Sequence, residues 1–239
     1  MRRIIATTLP VLALVVLTAV AASAAEAPAA TGGTSLFTLY AHSMPVGGLL
    51  TILSFVCISL ALTWTFTMRS EDLVPPGITE EIHQLFAEGA TDEALEQAKA
   101  VVAGSPSILS NVLAAALDKK DVGHQAMIEA AEEVSIAEHS KYMSKVAWLS
   151  LFSSSATLLG LLGTVTGIIG AFLAMSASNN DPQALAKAIG EALVCTAMGL
   201  VIAITGLYFF FFLRNRVNQA ALDTGVYTKE ILDYFRAER

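Results

Sequence analysis

The stretch Leu158-Leu-Gly-Leu-Leu-Gly-Thr-Val-Thr-Gly-Ile-Ile-Gly-Ala-Phe172 decides the fold of this chain. It lies in a run without a charged residue from Val146 to Asn180, which exceeds the roughly 20 apolar residues that cross a bilayer. The stretch contains four glycines, Gly160, Gly163, Gly167 and Gly170. Their spacing places them on one face of a helix. We therefore predict a membrane-spanning helix that packs closely on another helix through its small residues.

Hydroxyl side chains border this glycine face, with Thr157 and Thr164 beside it. In a membrane, a threonine hydroxyl can hydrogen-bond to a neighbouring helix or line a narrow polar path. Close packing alone and an ion path are therefore both open from this stretch by itself.

The composition is that of an integral membrane protein. Of 239 residues, 54% are hydrophobic and 15% are charged, and the mean hydropathy is +0.61. Soluble domains carry about 25% charged residues. Most of the formal net charge of −7 falls in one polar middle segment, and no basic tract suggests nucleic acid. Cys57 and Cys195 lie in apolar runs, so we expect small buried packing residues and no disulfide.

The chain is predicted to be an all-α membrane protein with three mature transmembrane helices after a signal peptide. The leader has a basic start, an apolar run and small residues at its end, and both cleavage and retention as an anchor fit this pattern. The predicted segments are a signal peptide or uncleaved anchor (1–25), a short external segment (26–43), a first span (44–68), a cytoplasmic helical domain (69–145), a second span (146–175), an external turn (176–187), a third span (188–213) and a cytoplasmic C-terminal helix (214–239).

Charge sets the predicted orientation. The flanks assigned to the cytoplasm carry Arg69, Lys141, Lys145, Arg214 and Arg216, whereas the external turn carries Lys187. This asymmetry satisfies the positive-inside rule with an external N-terminus and a cytoplasmic C-terminus.

Helix signals in the polar segment are local. Thr91 is a suitable cap, with two acidic residues in the turn that follows it. From residue 124 to about 175 nothing breaks the helical pattern, so the second span should extend as one helix into a cytoplasmic helical bundle. Pro182 suits the first position of the helix that carries the third span.

Glu191 is the only ionisable group inside the third span, and the first two spans have none. An intramembrane charge usually marks a pathway or a paired group. Because Lys187 lies one turn earlier, a wet or Lys187-paired carboxylate at the interface is the alternative. Thr196 is five residues on, about 140° around the helix. A face of small residues that includes Gly199 lies beside both and is predicted to pack on the glycine face of the second span.

Nothing in the chain indicates an enzyme. The four histidines are isolated and fit surface positions, and no nucleophile with its base, phosphate loop or metal motif is present. We expect no cofactor and no metal. The triplet Ser153-Ser-Ser155 favours hydrogen bonds to its own helix or subunit contacts over catalysis.

Two segments carry a family resemblance. The stretch Leu158–Phe172 resembles the second transmembrane signature of the MotA/TolQ/ExbB proton-channel family, and Ile189-Gly-Glu-Ala-Leu-Val-Cys-Thr-Ala-Met-Gly-Leu-Val-Ile-Ala-Ile204 resembles the third. With three mature spans, the chain resembles the TolQ/ExbB branch more than the flagellar stator branch, which has four spans. The resemblance covers roughly residues 43 to 216.

The resemblance implies an inner-membrane motor subunit. Such a subunit forms a pentamer around the spans of a TolR/ExbD-type, single-span partner whose aspartate carries the proton. It implies an ion pathway with Thr164, Thr196 and Glu191, and helix packing through Gly160, Gly163, Gly167, Gly170 and Gly199. Thr157 and Thr205 stand where the family often has proline. These hydroxyls, with that of Thr166, leave open the use of Na⁺ instead of H⁺. The alternative function is a non-conducting scaffold that assembles through its small-residue helix faces.

Overall fold

The structure is a computed structural model that describes residues 46–69, 73–87, 89, 91–177 and 182–236. All regular secondary structure in these residues is helical, and they contain no strand. The predicted leader, the external segment and residues 178–181 of the external turn lie outside the described residues. In chain order the helices are α1 (Val46–Thr67), α2 (Pro76–Phe86), α3 (Asp92–Ala103), α4 (Ile108–Leu117), a 3₁₀ turn (Lys120–Val122), α5 (His124–Ala177), α6 (Pro182–Leu232) and a second 3₁₀ turn (Asp233–Arg236).

Three of these helices, α1, α5 and α6, are long and apolar enough to cross a membrane. The protein is therefore a multi-pass membrane protein. The predicted continuity of the second apolar helix is confirmed, since α5 runs for 54 residues without a break.

The third apolar helix does not end where its basic residues suggested. Arg214 and Arg216 lie inside α6, which continues to Leu232. No glycine or proline interrupts the chain at these arginines, so the backbone bonding of the helix carries on past them. The predicted third span and C-terminal helix are thus parts of one helix.

The described chain divides into two compact units. The first unit holds α1 up to Ala61 together with Leu149–Phe209, and the second holds Leu62–Trp148 together with the chain from Phe210 onward. In the first unit the three apolar helices share one core. Its buried side chains are Leu50, Ala156, Cys195, Ile202 and Ala203, with Val46, Leu53 and Leu159 packed against them.

The second unit is built from short capped helices packed on parts of the long ones. Thr91 accepts a hydrogen bond from the amide of Ala94 at 3.3 Å, which confirms the predicted cap of α3. Ser107 caps α4 in the same way. Phe86 of α2 meets Phe235 edge to face, with ring centroids 5.2 Å apart. Both rings are buried, so this contact holds the C-terminal turn in the core of the unit.

Candidate functional site

The glycine face of α5 packs on the small-residue face of α6. A β-carbon built at Gly199 would lie 2.6 Å from the carbonyl oxygen of Ala156 and 3.0 Å from the Cα of Gly160. One turn away, a β-carbon at Gly163 would lie 2.8 Å from the Cβ of Cys195. Real β-carbons do not approach other atoms so closely, so only glycine allows the backbones this separation.

The contact continues in order along both helices. A β-carbon at Gly167 would meet the Cβ of Ala192 at 2.6 Å. Residue numbers rise on α5 as they fall on α6, so the two helices run antiparallel. We call this contact the small-residue seam. It comprises Ala156, Gly160, Gly163 and Gly167 of α5 with Ala192, Cys195, Thr196 and Gly199 of α6.

Gly170 does not belong to the seam within one chain. A β-carbon there would find no atom within 4 Å. The next buried position on this side of α5 is Ala171, at 5% exposure. A strict alternation of three and four residues does not stay on one face of a helix with 3.6 residues per turn, so Gly170 falls outside the seam. The prediction that Gly170 packs against α6 is therefore wrong for the single chain.

Thr196 joins the two helices by a hydrogen bond. Its hydroxyl donates to the carbonyl oxygen of Gly160 at 2.8 Å. Glycine at position 160 exposes that carbonyl, since no side chain stands between the helices. The hydroxyl of Thr164 instead donates to Leu161 of its own helix at 2.7 Å. Among the described residues, no hydrogen bond links Thr164 with Thr196 or with Glu191.

Helical spacing assigns the site residues to the two edges of the seam. Thr164 is four residues after Gly160, so it lies on the edge where Thr196 contacts that glycine. Glu191 is four residues before Cys195, so it lies on the other edge. That second edge faces α1, because a β-carbon at Gly163 would meet both Cys195 and the Val46 side chain. The 140° between Glu191 and Thr196 therefore places them on opposite edges of one contact.

Glu191 is mostly buried within the single chain. Its side chain is 19% exposed, whereas that of Lys187 is 49% exposed. The Lys187 ammonium lies 3.9 Å from the Glu191 carboxylate, which is too far for a hydrogen bond. The predicted ion pair thus exists only as a loose contact.

Three other hydroxyl side chains in the apolar helices donate to carbonyls of their own helix. Thr157 donates to Ser153 at 3.3 Å and Thr205 donates to Val201 at 2.8 Å. Where the family often has proline, this chain therefore keeps the backbone amide and adds a hydrogen bond one turn back. Ser153 donates to the carbonyl of Leu149 at 2.7 Å, as its position in the apolar run predicted.

Two other sets of residues bear on the site. Cys57 and Cys195 are both buried free cysteines, which confirms their predicted packing role. A β-carbon at Gly206 would meet the Sγ of Cys57 and the Oγ of Ser153, so a second glycine contact joins α1, α5 and α6. Within the described ranges, no group of three or more His, Cys, Asp or Glu side chains is arranged to hold a metal ion.

Sequence reasoning missed one polar contact, at the C-terminal end of α1. The guanidinium of Arg216 reaches the carbonyl oxygens of Thr65 and Met68. Arginine was read only as an orientation signal, and periodicity alone does not reveal a contact between residues about 150 positions apart. Burial lowers the pKa of Arg216, and the charge of Arg69 lowers it further.

Comparisons with known proteins decide the family. A sequence profile described as the MotA/TolQ/ExbB proton channel family matches residues 104–224, half of the chain. This chain belongs to the MotA/TolQ/ExbB proton channel family. The matched range includes the whole seam and both signature segments.

Relatives in the family place the chain near the TolQ/ExbB branch. It is 34% identical over 99 residues to a biopolymer transport protein ExbB of Xanthomonas campestris pv. campestris, covering 41% of this chain and 39% of that protein. It is 38% identical over 88 residues to the Tol-Pal system protein TolQ of Haemophilus influenzae, covering 36% and 39%. It is 30% identical over 143 residues to a putative ExbB homolog of Methanothermobacter thermautotrophicus, covering 60% and 50%. The matches span between 39% and half of the length of these relatives.

Proposed function

We propose that this chain is the ion-conducting motor subunit of a bacterial inner-membrane complex. It couples the proton or sodium motive force to movement of a single-span TolR/ExbD-type partner, and that movement energises transport or envelope work. Copies of the chain assemble, as a pentamer, around the partner's spans. The N-terminus lies in the periplasm and the C-terminus in the cytoplasm, in accord with the basic flanks.

The observation that carries this proposal is the placement of two threonines on one edge of the small-residue seam. Thr164 and Thr196 come from different helices, and the seam brings these helices together where the family signatures lie. The edge is distinct from the one that faces α1. In a ring of subunits, the threonine edge turns toward the central partner and supplies hydroxyl groups along the partner's carboxylate.

A division of labour follows from the charges. Glu191 is the only ionisable group in the apolar part of α6 beyond Lys187 and before Arg214. A proton relay needs at least two acidic groups, and this chain places a single carboxylate in its spans, on the edge opposite the threonines. The transferred proton or ion therefore needs an acidic group from outside the chain, and an aspartate in the partner's span supplies it.

Ion flux in reconstituted vesicles tests the proposal. The chain is co-purified with its single-span partner, and flux is measured for the parent and for Thr196→Val. Valine keeps the shape and removes the hydroxyl. We expect about a tenfold loss of flux, the change that 1.4 kcal/mol in a barrier produces.

Thr205→Val is the matched control for Thr196→Val. It makes the same change in the same helix, but the Thr205 hydroxyl only returns to the Val201 carbonyl at 2.8 Å. Its flux should equal that of the parent. Equal flux in parent, Thr196→Val and Thr205→Val contradicts the assignment of Thr196 to the pathway.

A second candidate function is a non-conducting scaffold, and one observation favours it. The Thr196 hydroxyl already donates to the Gly160 carbonyl, so the same residue can serve helix packing alone. If the residue serves packing alone, Thr196→Val reduces the amount of assembled or folded complex. The ion-dependent work per assembled complex then equals that of the parent. Flux per assembled complex in Thr196→Val separates the two functions, because it falls only if the hydroxyl takes part in conduction.

A further inference from the structure

The C-terminal end of α1 is held by a side chain from α6. The Nη1 atom of Arg216 lies 3.2 Å from the carbonyl oxygen of Thr65 and 3.0 Å from that of Met68. Met68 is 2% exposed, so the contact is formed at a buried helix end. The Arg216 guanidinium also lies over the ring of Phe212, with 4.8 Å from Cζ to the ring centroid.

These carbonyls lie in the last turn of α1 and directly after it. The last four carbonyls of a helix have no intrahelical donor, and the negative end of the helix dipole favours a cation there. The last turn of α1 has no basic residue of its own. Arg216 therefore supplies a donor and a positive charge to this end from another helix.

The surroundings of Arg216 favour this contact over a salt bridge. Within the described residues no carboxylate lies within 4.0 Å of its guanidinium, and the nearby charge that acts on it is that of Arg69, which is repulsive. A half-buried cation with a like charge beside it stays in place only where other groups solvate it. The two carbonyls and the face of Phe212 do so.

We propose that Arg216 is a positioning residue that locks the C-terminal end of α1 onto α6. The bond fixes where α1 stops. Without it, the last turn of α1 opens and the carbonyls of Thr65 and Met68 exchange their donor for water. Holding the end of α1 is a role that Arg216 has in addition to its contribution to membrane orientation.

Arg214 provides a matched control on the same helix. It lies two positions earlier and contributes the same charge to the same flank. Its guanidinium lies 6.0 Å from the Phe210 ring centroid, and no bond joins it to α1 in the part of the chain that the structure describes. Arg214→Gln and Arg216→Gln thus remove the same charge from the same flank, but only Arg216→Gln removes a contact with α1. Arg214 is exposed, whereas Arg216 is half-buried.

Amide hydrogen exchange of the full chain in lipid nanodiscs tests the proposal. In Arg216→Gln the amides from Thr65 to Arg69 should exchange at least tenfold faster than in the parent, because local opening no longer breaks two bonds to a charged donor. In Arg214→Gln the same amides should stay within twofold of the parent. Equal exchange in the two variants overturns the proposal.

A charge-conserving pair keeps the test decisive if Arg216→Gln does not accumulate. Arg216→Lys retains the charge, but an ammonium is more strongly hydrated than a guanidinium and does not stack on an aromatic face as the guanidinium does. Arg214→Lys is its control. We expect exchange at the end of α1 to rise at least threefold in Arg216→Lys alone. No difference between the two lysine variants overturns the proposal.

The proposal also predicts a spectroscopic signature that general destabilisation does not produce. With carbonyl-¹³C methionine, the infrared band of Met68 is identified by its loss in Met68→Leu. This band should move to higher frequency in Arg216→Gln, because the carbonyl loses a charged donor. An unshifted band overturns the bond. These readouts need neither the partner nor an ion gradient, so their outcome is independent of the proposed conduction.

Discussion

Gly199→Ala is the most direct perturbation of the small-residue seam. The added β-carbon would lie 2.6 Å from the carbonyl oxygen of Ala156, and 3.0 Å and 3.3 Å from the Cα and N of Gly160. All three are backbone atoms, so no side chain can rotate away to relieve the contact. Ordinary contact begins near 3.4 Å, and α5 and α6 must therefore separate by about 0.8 Å at this level.

The cost follows from two losses and one gain. Overpacking between rigid elements costs about 1–3 kcal/mol. A separation of this size also stretches the 2.8 Å bond from Thr196 to Gly160 beyond hydrogen-bonding range, and interhelical bonds in membranes contribute about 0.6 kcal/mol. Alanine returns at most about 1 kcal/mol through its better helix propensity. We expect a net loss of about 2 kcal/mol, which lowers the thermal midpoint by about 4–8 °C for a chain of this size.

Thermal unfolding in detergent, followed by tryptophan fluorescence, measures this effect. Gly190→Ala is the control, since it makes the same change on the same helix at a position with no atom within 4 Å. It should leave the midpoint unchanged or raise it slightly through helix propensity. A Gly199→Ala protein as stable as Gly190→Ala would refute the close approach of the two backbones.

Two further predictions concern charged groups. Glu191→Gln should reduce ion flux through the reconstituted complex. Its thermal midpoint should stay within about 2 °C of the parent, because the 3.9 Å contact with Lys187 is loose. Lys187→Gln is the control, and a loss of flux in that variant instead would contradict the role of Glu191. In the second unit, Lys120 lies 2.7 Å from Asp92 and holds the pKa of that carboxyl below its usual range, through a hydrogen bond first and charge second. The stabilisation is complete above the unfolded-state pKa of about 3.9 and is lost as pH falls through the lower folded-state pKa. Asp92→Asn should therefore lower the midpoint slightly at pH 7 and not below the folded-state pKa, and a difference that persists in acid would contradict this pairing.

Periodicity and spacing predicted most of the helical framework. The run from residue 124 to about 175 lacks proline and has glycine only on one face, so a single long helix was the expected outcome, and α5 is that helix. The cap at Thr91 and the start of α6 at Pro182 followed from local chemistry that needs no tertiary information.

The site was less accessible from the sequence, because it depends on how two helices meet. The spacing of the glycines identified the seam, but a fixed alternation extended it to Gly170, where an added β-carbon would find no atom within 4 Å. The bond from Thr196 to Gly160 requires the antiparallel register, which the residues of one helix do not encode. The arginine contact at the end of α1 was unpredictable for the same reason, since its partners are backbone carbonyls and carry no sequence signal.

Ion flux through Thr164→Ala, compared with Thr166→Ala, tests the central claim most directly. Both hydroxyls donate only within α5. Thr164 donates to Leu161 at 2.7 Å, and Thr166 is shared between Leu162 at 2.9 Å and Gly163 at 3.2 Å, so each variant loses intrahelical hydrogen bonding. Two residues apart on a helix, they face about 200° away from each other, and only Thr164 lies on the edge that Thr196 shares. The proposed pathway predicts a roughly tenfold loss of flux in Thr164→Ala and parental flux in Thr166→Ala. Equal flux in the two variants would contradict the pathway.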